Sequence, residues 1–235
     1  MSARAWCATL VLLTIVVSCR ERDSKPKSDA SASTDAQTLL VRGESAYRRE
    51  EFDSASAFFR RSSDLAGQSG DTLTQARALT ALGLAARKRG DYAAAREILE
   101  RALTLKITAG LTKELAKSYN ALGLLAHNQG RFADALVQFG RTEEAASKVG
   151  DSAAVAKARG NRGLVHSDIG DFPLARSEFG FLRRFAQALG DTSGEATAIN
   201  NLGMVEIRAG DPRRALSLLA VARKYFRSLD QEVGE

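Results

Sequence analysis

A spacing of forty residues recurs through most of this 235-residue chain. One column of the repeat is always glycine and another always alanine, while a third is bulky and apolar. Their members are Gly43, Gly83, Gly123, Gly163 and Gly203; Ala55, Ala95, Ala135, Ala175 and Ala215; and Phe59, Leu99, Phe139, Phe179 and Leu219. Agreement of several columns at one spacing predicts a stack of similar units, each burying its apolar face against its neighbours.

Each unit is predicted to contain two helices. Apolar residues recur three or four positions apart, as on one face of a helix. Glycines follow both helical runs, where a left-handed residue ends a helix without a Cβ penalty. They are Gly90, Gly130, Gly170 and Gly210 after the first run, and Gly70, Gly110, Gly150 and Gly190 after the second. Aspartate often comes next, as in Asp91, where its carboxylate is expected to cap the following helix. In the first unit Glu50 and Glu51 stand in place of the Gly-Asp pair.

The invariant glycine and alanine columns have a packing reason. Two antiparallel helices approach closely only where the side chains between them are small. We therefore expect leucine at Gly123 or Ala135 to overpack the crossing, at a cost of about 1–3 kcal/mol.

The segments Leu82-Gly83 and Gly90-Asp91-Tyr92, followed by Ala95, Leu99 and Ala102, resemble the tetratricopeptide repeat. The other units match in register over about residues 36–229, with a period similar to the longer-helix variety found in kinesin light chain. The resemblance implies an all-α fold, a right-handed superhelical solenoid of five helix-turn-helix repeats. Within the domain 36–235, the repeats would span 36–71, 72–111, 112–151, 152–191 and 192–230. It also implies a concave face, lined by the first helices, that holds a peptide or a partner protein.

Polar columns on the first helices mark the residues expected to bind that partner. They are the basic residues Arg77, Lys117 and Lys157, the amides Asn120, Asn161, Asn200 and Asn201, and further along the helices Arg87, His127 and Asn128. Amides suit a peptide backbone and bases suit acidic side chains, so the partner is expected to be acidic. The alternative is that these residues form only a solvated helix face. The place of the asparagine in the family's carboxylate clamp is taken by Glu44, Leu84, Leu124, Leu164 and Met204, so a clamp of that type is not expected. The four apolar members of this row are expected to be core between the units, and a hydrophobic groove is the alternative.

The N-terminus resembles a bacterial lipoprotein signal. An apolar run from Ala5 to Val17 precedes Val16-Val17-Ser18-Cys19, which resembles a lipobox. We predict a signal peptide over 1–18, a lipidated Cys19 and a disordered tether through residue 35, because that segment is charged and rich in serine. An ordinary secretory signal or an uncleaved anchor is the alternative. The resemblance implies a lipid-anchored protein of the bacterial cell envelope, facing the periplasm, and Arg20 favours the outer membrane.

Other patterns bear on the class of protein. The sequence contains no G-x-S-x-G, H-E-x-x-H or P-loop motif, its two histidines lack companions at metal-ligand spacing, and both cysteines lie within the first nineteen residues. We predict no enzyme activity, no cofactor and no metal. The net charge is +6, but the 34 Lys and Arg residues are interspersed with 28 acidic residues rather than clustered, so no nucleic-acid partner is expected.

The function that these features predict is a membrane-tethered scaffold for protein–protein interaction. The alternative is a regulatory subunit that sequesters or controls an envelope enzyme such as a cell-wall hydrolase. Self-association through the C-terminal helix is also predicted, because no further helix follows to cover its apolar residues. These are Leu216, Leu219, Val221, Phe226 and Leu229.

Overall fold

A computed structural model describes residues 29–232 of the chain, which form ten α-helices. In chain order they are α1 (Asp29–Arg48), α2 (Phe52–Gln68), α3 (Thr72–Lys88), α4 (Tyr92–Thr108), α5 (Thr112–Asn128), α6 (Phe132–Lys148), α7 (Ser152–Asp168), α8 (Phe172–Leu189), α9 (Thr192–Arg208) and α10 (Pro212–Glu232). They form five successive pairs, so that α1 and α2 make up repeat one and α9 and α10 make up repeat five.

The pairs stack into a solenoid. Each helix packs against the next one along the chain, and the first helices α1, α3, α5 and α7 also touch one another in succession. Among the described residues, no two second helices pack together to a comparable extent. The first helices therefore line the inner side of the stack and the second helices its outer side. The predicted all-α solenoid of five helix pairs is confirmed.

The glycine column lies where the two helices of a pair cross. A Cβ added to Gly123 would lie 2.5 Å from the ring of Phe139, and one added to Gly83 would lie 2.6 Å from the side chain of Leu99. Phe139 and Leu99 are both completely buried. The bulky column thus fills the space that the glycine column leaves, and this interlock recurs in every repeat.

Glycine also ends the helices. All eight glycines that separate successive helices have a positive φ, between 66° and 84°. In repeat one Glu50 takes the corresponding place with a φ of 61°, and it is the one non-glycine residue of 29–232 in that region. The predicted aspartate caps are confirmed. At Asp71, Asp91, Asp151, Asp171, Asp191 and Asp211, the carboxylate accepts a hydrogen bond from the backbone N–H three residues on.

The boundary of the predicted tether at residue 35 is wrong, because α1 begins at Asp29. Its first turns are held by the repeat domain: Ser33 Oγ donates to Asp71 Oδ2 at 2.7 Å, Ala36 is completely buried, and Ser62 Oγ donates to the Ala36 carbonyl oxygen. The first turns of α1 contain few apolar residues, but they are ordered because they bond to Ser62 of α2 and to Asp71, which precedes α3. The predicted signal peptide, Cys19 and the first part of the tether lie outside the described residues.

Candidate functional site

The inner side of the solenoid contains a cleft of about 760 Å³. Its walls are formed by α1, α3, α5 and α7, the first helices of repeats one to four. Lys106 of α4 and Thr142 of α6 reach it from the second helices. The volume lies in the range of ligand-binding pockets in proteins.

Four of the ten residues predicted to bind a partner line this cleft. Arg77, Lys117 and Lys157 occupy equivalent positions on α3, α5 and α7, and all three are exposed. Asn120, one turn further along α5 from Lys117, is half-buried. The structure therefore brings the three bases into one row along the wall of the cleft, where their charges face the solvent.

A buried carboxylate lies beneath this row. Glu114 of α5 is only 6% exposed, and its Oε1 accepts a hydrogen bond from Arg77 Nε at 3.1 Å. Lys117 Nζ is 3.3 Å from Oε2, close enough for an ion pair but not in hydrogen-bonding geometry, so Oε2 accepts no hydrogen bond from the described residues. Burial alone raises the pKa of the Glu114 carboxyl, but the hydrogen bond from Arg77 and the charges of Lys117 and Arg77 outweigh it and lower the pKa. Glu114 is therefore an anion, and its Oε2 is buried in an ion pair with Lys117.

Lys106 forms the floor of the cleft next to Glu114. It is completely buried, and its Nζ donates to Ser118 Oγ at 2.8 Å, Thr80 Oγ1 at 2.9 Å and the Glu114 carbonyl oxygen at 3.3 Å. Burial lowers the pKa of Lys106 to about 8, against the attraction of Glu114 and with a smaller contribution from the charges of Lys117 and Arg77. The ammonium group remains protonated at neutral pH. Since all three of its donors are used, it acts on the cleft through its charge rather than by direct contact.

The structure brings only two of the four predicted asparagines to the cleft or its edge. Asn161 Nδ2 donates to Asn120 Oδ1 at 2.7 Å, which links α7 to α5 at the side of the cleft. Asn200 and Asn201 are half-buried on α9 and lie outside the cleft. One amide of the predicted set therefore lines the cleft directly, and a second holds it in position.

The three predicted residues near the C-terminal ends of the first helices also lie outside the cleft. Arg87 donates to Asn128 Oδ1 at 2.9 Å, and His127 Nε2 lies 2.6 Å from Asp168 Oδ2. Asp168 in turn pairs with Arg208 of α9. These contacts join α3 to α5, α5 to α7 and α7 to α9, so Arg87, His127 and Asn128 tie neighbouring repeats together.

The apolar row on the first helices was expected to be core, and for half of it this is wrong. Leu84 and Leu124 are half-buried and pack against the core, but Leu164 is 41% exposed and Met204 is 48% exposed. The row faces the inner side of the solenoid, where the neighbouring first helix covers it in the early repeats. Contact between α7 and α9 is sparse, so the later members of the row face the solvent.

Sequence reasoning missed Glu114 and Lys106. Lys106 stands in a column that reads Ala66, Ala146 and Ala186 in three other repeats, so a single basic residue among alanines was a visible signal. The column of Glu114 reads Thr74, Ala154 and Gly194 elsewhere and shows no such pattern.

Two further findings concern chemistry and membranes. Within residues 29–232, no group of three or more His, Cys, Asp or Glu side chains is arranged to hold a metal ion. None of the helices in that range combines the length and the apolar character that a membrane span requires.

Comparison with known families gives two matches, both described as tetratricopeptide repeat, over residues 34–107 and 80–150. Residues 34–150 therefore match the tetratricopeptide repeat. The resemblance stated from the sequence is thus confirmed for the repeat itself. No match was found among curated protein sequences.

Several solved structures share the fold of this chain at low sequence identity. BtubC (BKLC) from P. vanneervenii is 19% identical with a TM-score of 0.70, and the match covers 86% of this chain and 91% of that one. A putative kinesin light chain from Podosopora anserina with nearly identical TPR-like repeats is 11% identical with a TM-score of 0.66, covering 84% of this chain and 97% of that one. The Rap conjugation gene regulator of plasmid pLS20, solved in complex with the Phr* peptide, is 18% identical with a TM-score of 0.68, covering 92% of this chain and 60% of that one. At these identities the likeness establishes the fold.

Proposed function

We propose that this protein is a scaffold for protein–protein interaction, and that its cleft holds an extended segment of a partner. The observation that carries the proposal is the cleft itself, along whose wall a row of exposed bases stands above a buried carboxylate. Acidic side chains of a partner suit the bases, and the amide of Asn120 suits a peptide backbone.

The solenoid is suited to this role because its binding surface exists before the partner arrives. The first helices are held in place by completely buried residues such as Phe139 and Leu99, so binding orders few side chains of the protein. The exposed apolar residues Leu164 and Met204 extend the inner surface beyond the cleft and offer contact area to apolar residues of a partner.

One structural neighbour supports the choice of a peptide as ligand. The Rap regulator was solved with a peptide bound, and it shares its fold with 92% of this chain. Peptide binding by such a solenoid is therefore physically feasible.

Photo-crosslinking in the native host tests the proposal. A photoreactive residue is placed at Lys117 or at Lys157, both exposed and in the cleft, and the matched control is placed at Arg101, which is exposed on α4 outside the cleft. We expect the same discrete protein adduct from both cleft positions and none from the control. Equal labelling at all three positions, or an adduct from the control alone, would refute the cleft as the binding site.

The identity of the adduct also decides between the two functions that the sequence suggests. An envelope enzyme whose activity changes when this protein is added would make the protein a regulatory subunit. A structural component of an envelope assembly would make it a scaffold.

We propose further that Cys19 carries a lipid that anchors the protein to the bacterial envelope, in the outer membrane. The lipobox-like residues Val16 to Cys19 support this anchor. Metabolic labelling with radioactive palmitate tests it: the wild type should be labelled and sediment with membranes, and Cys19→Ala should do neither. A labelled Cys19→Ala protein would contradict the anchor.

A second proposed contact is self-association through α10. Its residues Leu216, Val221 and Phe226 are 73%, 45% and 38% exposed. Light scattering of residues 29–235 should then show a mass that rises with concentration, and Leu216→Ser with Phe226→Ser should abolish the rise. A wild-type protein that stays monomeric at about 100 µM, where an association of about 5.5 kcal/mol would be visible, contradicts this contact.

A further inference from the structure

The charges that line the cleft are unevenly distributed along it. At the end formed by repeat one, Glu44 of α1 is exposed and Asp71 precedes α3. At the other end Lys157 of α7 is exposed and stands alone, since no acidic residue of α7 lines the cleft. The lining of the cleft therefore changes from negative at α1 to positive at α7.

The middle of the cleft continues this change. Arg77 and Glu114 neutralise each other in an ion pair, which leaves the charges of Lys117 and of the buried Lys106 on the α5 side. Buried charges are screened by salt less than exposed ones, so Lys106 gives this half of the cleft a positive potential that surface ions do not cancel. A ligand that enters the cleft meets a field with a direction.

The length of the cleft sets the length of the ligand. Neighbouring packed helices lie roughly 8–10 Å apart, so the path from α1 to α7 crosses three spacings and measures roughly 24–30 Å. An extended chain rises about 3.3 Å per residue, and about seven to nine residues therefore span the cleft.

We propose that the cleft takes an extended peptide segment of about seven to nine residues whose charge is bipolar. Its basic end lies against Glu44 and Asp71, and its acidic end lies against Lys117 and Lys157. This inference rests on the proposed peptide-binding function and adds the charge order and the direction of the bound segment.

Two fluorescent nonapeptides of identical composition test the charge order. In the bipolar peptide two lysines and two aspartates occupy opposite ends, and in the control peptide the same residues alternate. We expect the bipolar peptide to bind about tenfold more tightly in fluorescence anisotropy at low salt, because each charge pair at the ends of the cleft contributes modestly. The difference should shrink at high salt, because the exposed charge pairs are screened and only the contribution of buried Lys106 persists.

A photoreactive group on the acidic end of the bipolar peptide tests the direction. In the wild type the crosslink should map to α5 or α7, and in the double variant Glu44→Lys/Lys157→Glu it should map to α1. Both substituted residues are exposed, so the variant is expected to fold. Crosslinks divided equally between the two ends of the cleft in the wild type would overturn the inference.

The outcomes also separate this inference from the proposed function. Equal affinity for the two peptides, together with a native partner captured from Lys117 and Lys157 in living cells, would overturn the charge order and leave the cleft as a binding site. No saturable binding of either peptide at millimolar concentration, with no adduct in cells, would overturn both.

Discussion

Among single residues, Glu50 holds the least favourable backbone conformation in residues 29–232. It has a φ of 61° at the end of α1, where the other repeats have glycine. A residue with a Cβ is strained in this region by roughly 1–2 kcal/mol. Repeat one thus ends its first helix with the same left-handed backbone geometry as the other repeats, but without glycine at that position.

Replacing Glu50 by glycine should therefore stabilise the protein. We expect Glu50→Gly to raise the free energy of unfolding by about 0.5–1 kcal/mol. The relief of backbone strain exceeds the cost of the conformational entropy that glycine adds to the unfolded chain. Urea unfolding followed by circular dichroism measures it. Glu50→Ala is the control: it removes the charge but keeps the Cβ, so an equal gain in this variant would show that charge rather than strain was the cause.

Lys106 affects the stability of the protein through the protonation of its buried ammonium group. Its pKa is lowered by burial to about 8, below the ordinary value of 10.5. Below pH 8 the group is protonated in both the folded and the unfolded state, and the fold bears the full cost of burying the charge. Between pH 8 and pH 10.5 the unfolded chain binds more protons, so stability rises with pH in this window.

A buried lysine of this kind predicts a specific pH profile. The contribution of Lys106 to the free energy of unfolding should rise by roughly 3 kcal/mol between pH 8 and pH 10.5. In Lys106→Met this rise should be absent, and in the control Lys88→Met, at an exposed lysine outside the cleft, it should remain. Urea unfolding at several pH values decides, and parallel profiles for the wild type and Lys106→Met would contradict the shift.

Within one helix pair, the crossing of a glycine and a bulky residue determines how closely the two helices pack. At Gly123 a Cβ would meet the ring of Phe139 at 2.5 Å, a separation that real Cβ contacts do not show. Phe139 is completely buried, so its ring cannot move aside into solvent. The pair α5 and α6 must therefore separate if Gly123 acquires a side chain.

Helix propensity and packing predict opposite effects at two glycines of this pair. Gly123→Ala should lower the free energy of unfolding by about 1–3 kcal/mol through overpacking. Gly140 lies inside α6 and a Cβ there would meet no atom within 4 Å, so Gly140→Ala should raise it by about 0.5–1 kcal/mol. Thermal or urea unfolding of both variants measures this, and a gain in stability at Gly123 would show that the crossing is not tight.

Across the whole molecule, ionic contacts join the last two repeats. Glu206 of α9 is buried. Its carboxylate accepts two hydrogen bonds from Arg176 of α8, at 2.9 and 2.7 Å, and forms an ion pair with Arg214 of α10. The equivalent positions in repeats one to three are Ala46, Ala86 and Ala126. The hydrogen bond from Arg176 lowers the pKa of the Glu206 carboxyl, although burial opposes it.

Acid should therefore loosen the C-terminal end of the solenoid first. A carboxylate with a lowered pKa stabilises the fold above its unfolded pKa, and this stabilisation is lost as the pH falls through the folded pKa. Because each repeat of a solenoid contacts only its neighbours, the ends can open locally. Hydrogen exchange should show that α9 and α10 lose protection between pH 5 and pH 3 before α4 does, and this difference should be smaller in Glu206→Gln. Uniform loss along the stack would contradict local opening.

Several features were readable from the sequence because the residue itself dictates them. Glycine at the end of most helices, aspartate at the start of the next and the small side chains at the helix crossing, such as Gly123 and Ala135, depend on local geometry that recurs every forty residues. For the same reason the five helix pairs and the row formed by Arg77, Lys117 and Lys157 were predicted correctly as to position. The charge of Lys106 among alanines was also visible, although its burial was not.

Only the tertiary structure decided which partners these residues have. Glu114 meets Arg77 across 37 positions of sequence, and Asp168 meets both His127 and Arg208, so the partner depends on how neighbouring first helices are placed. The spacing between α7 and α9 likewise leaves Leu164 and Met204 exposed although their column reads as core. The periodic sequence determines the helix pair of each repeat. The stacking of units determines the cleft, because its walls, its charges and its buried lysine come from different repeats.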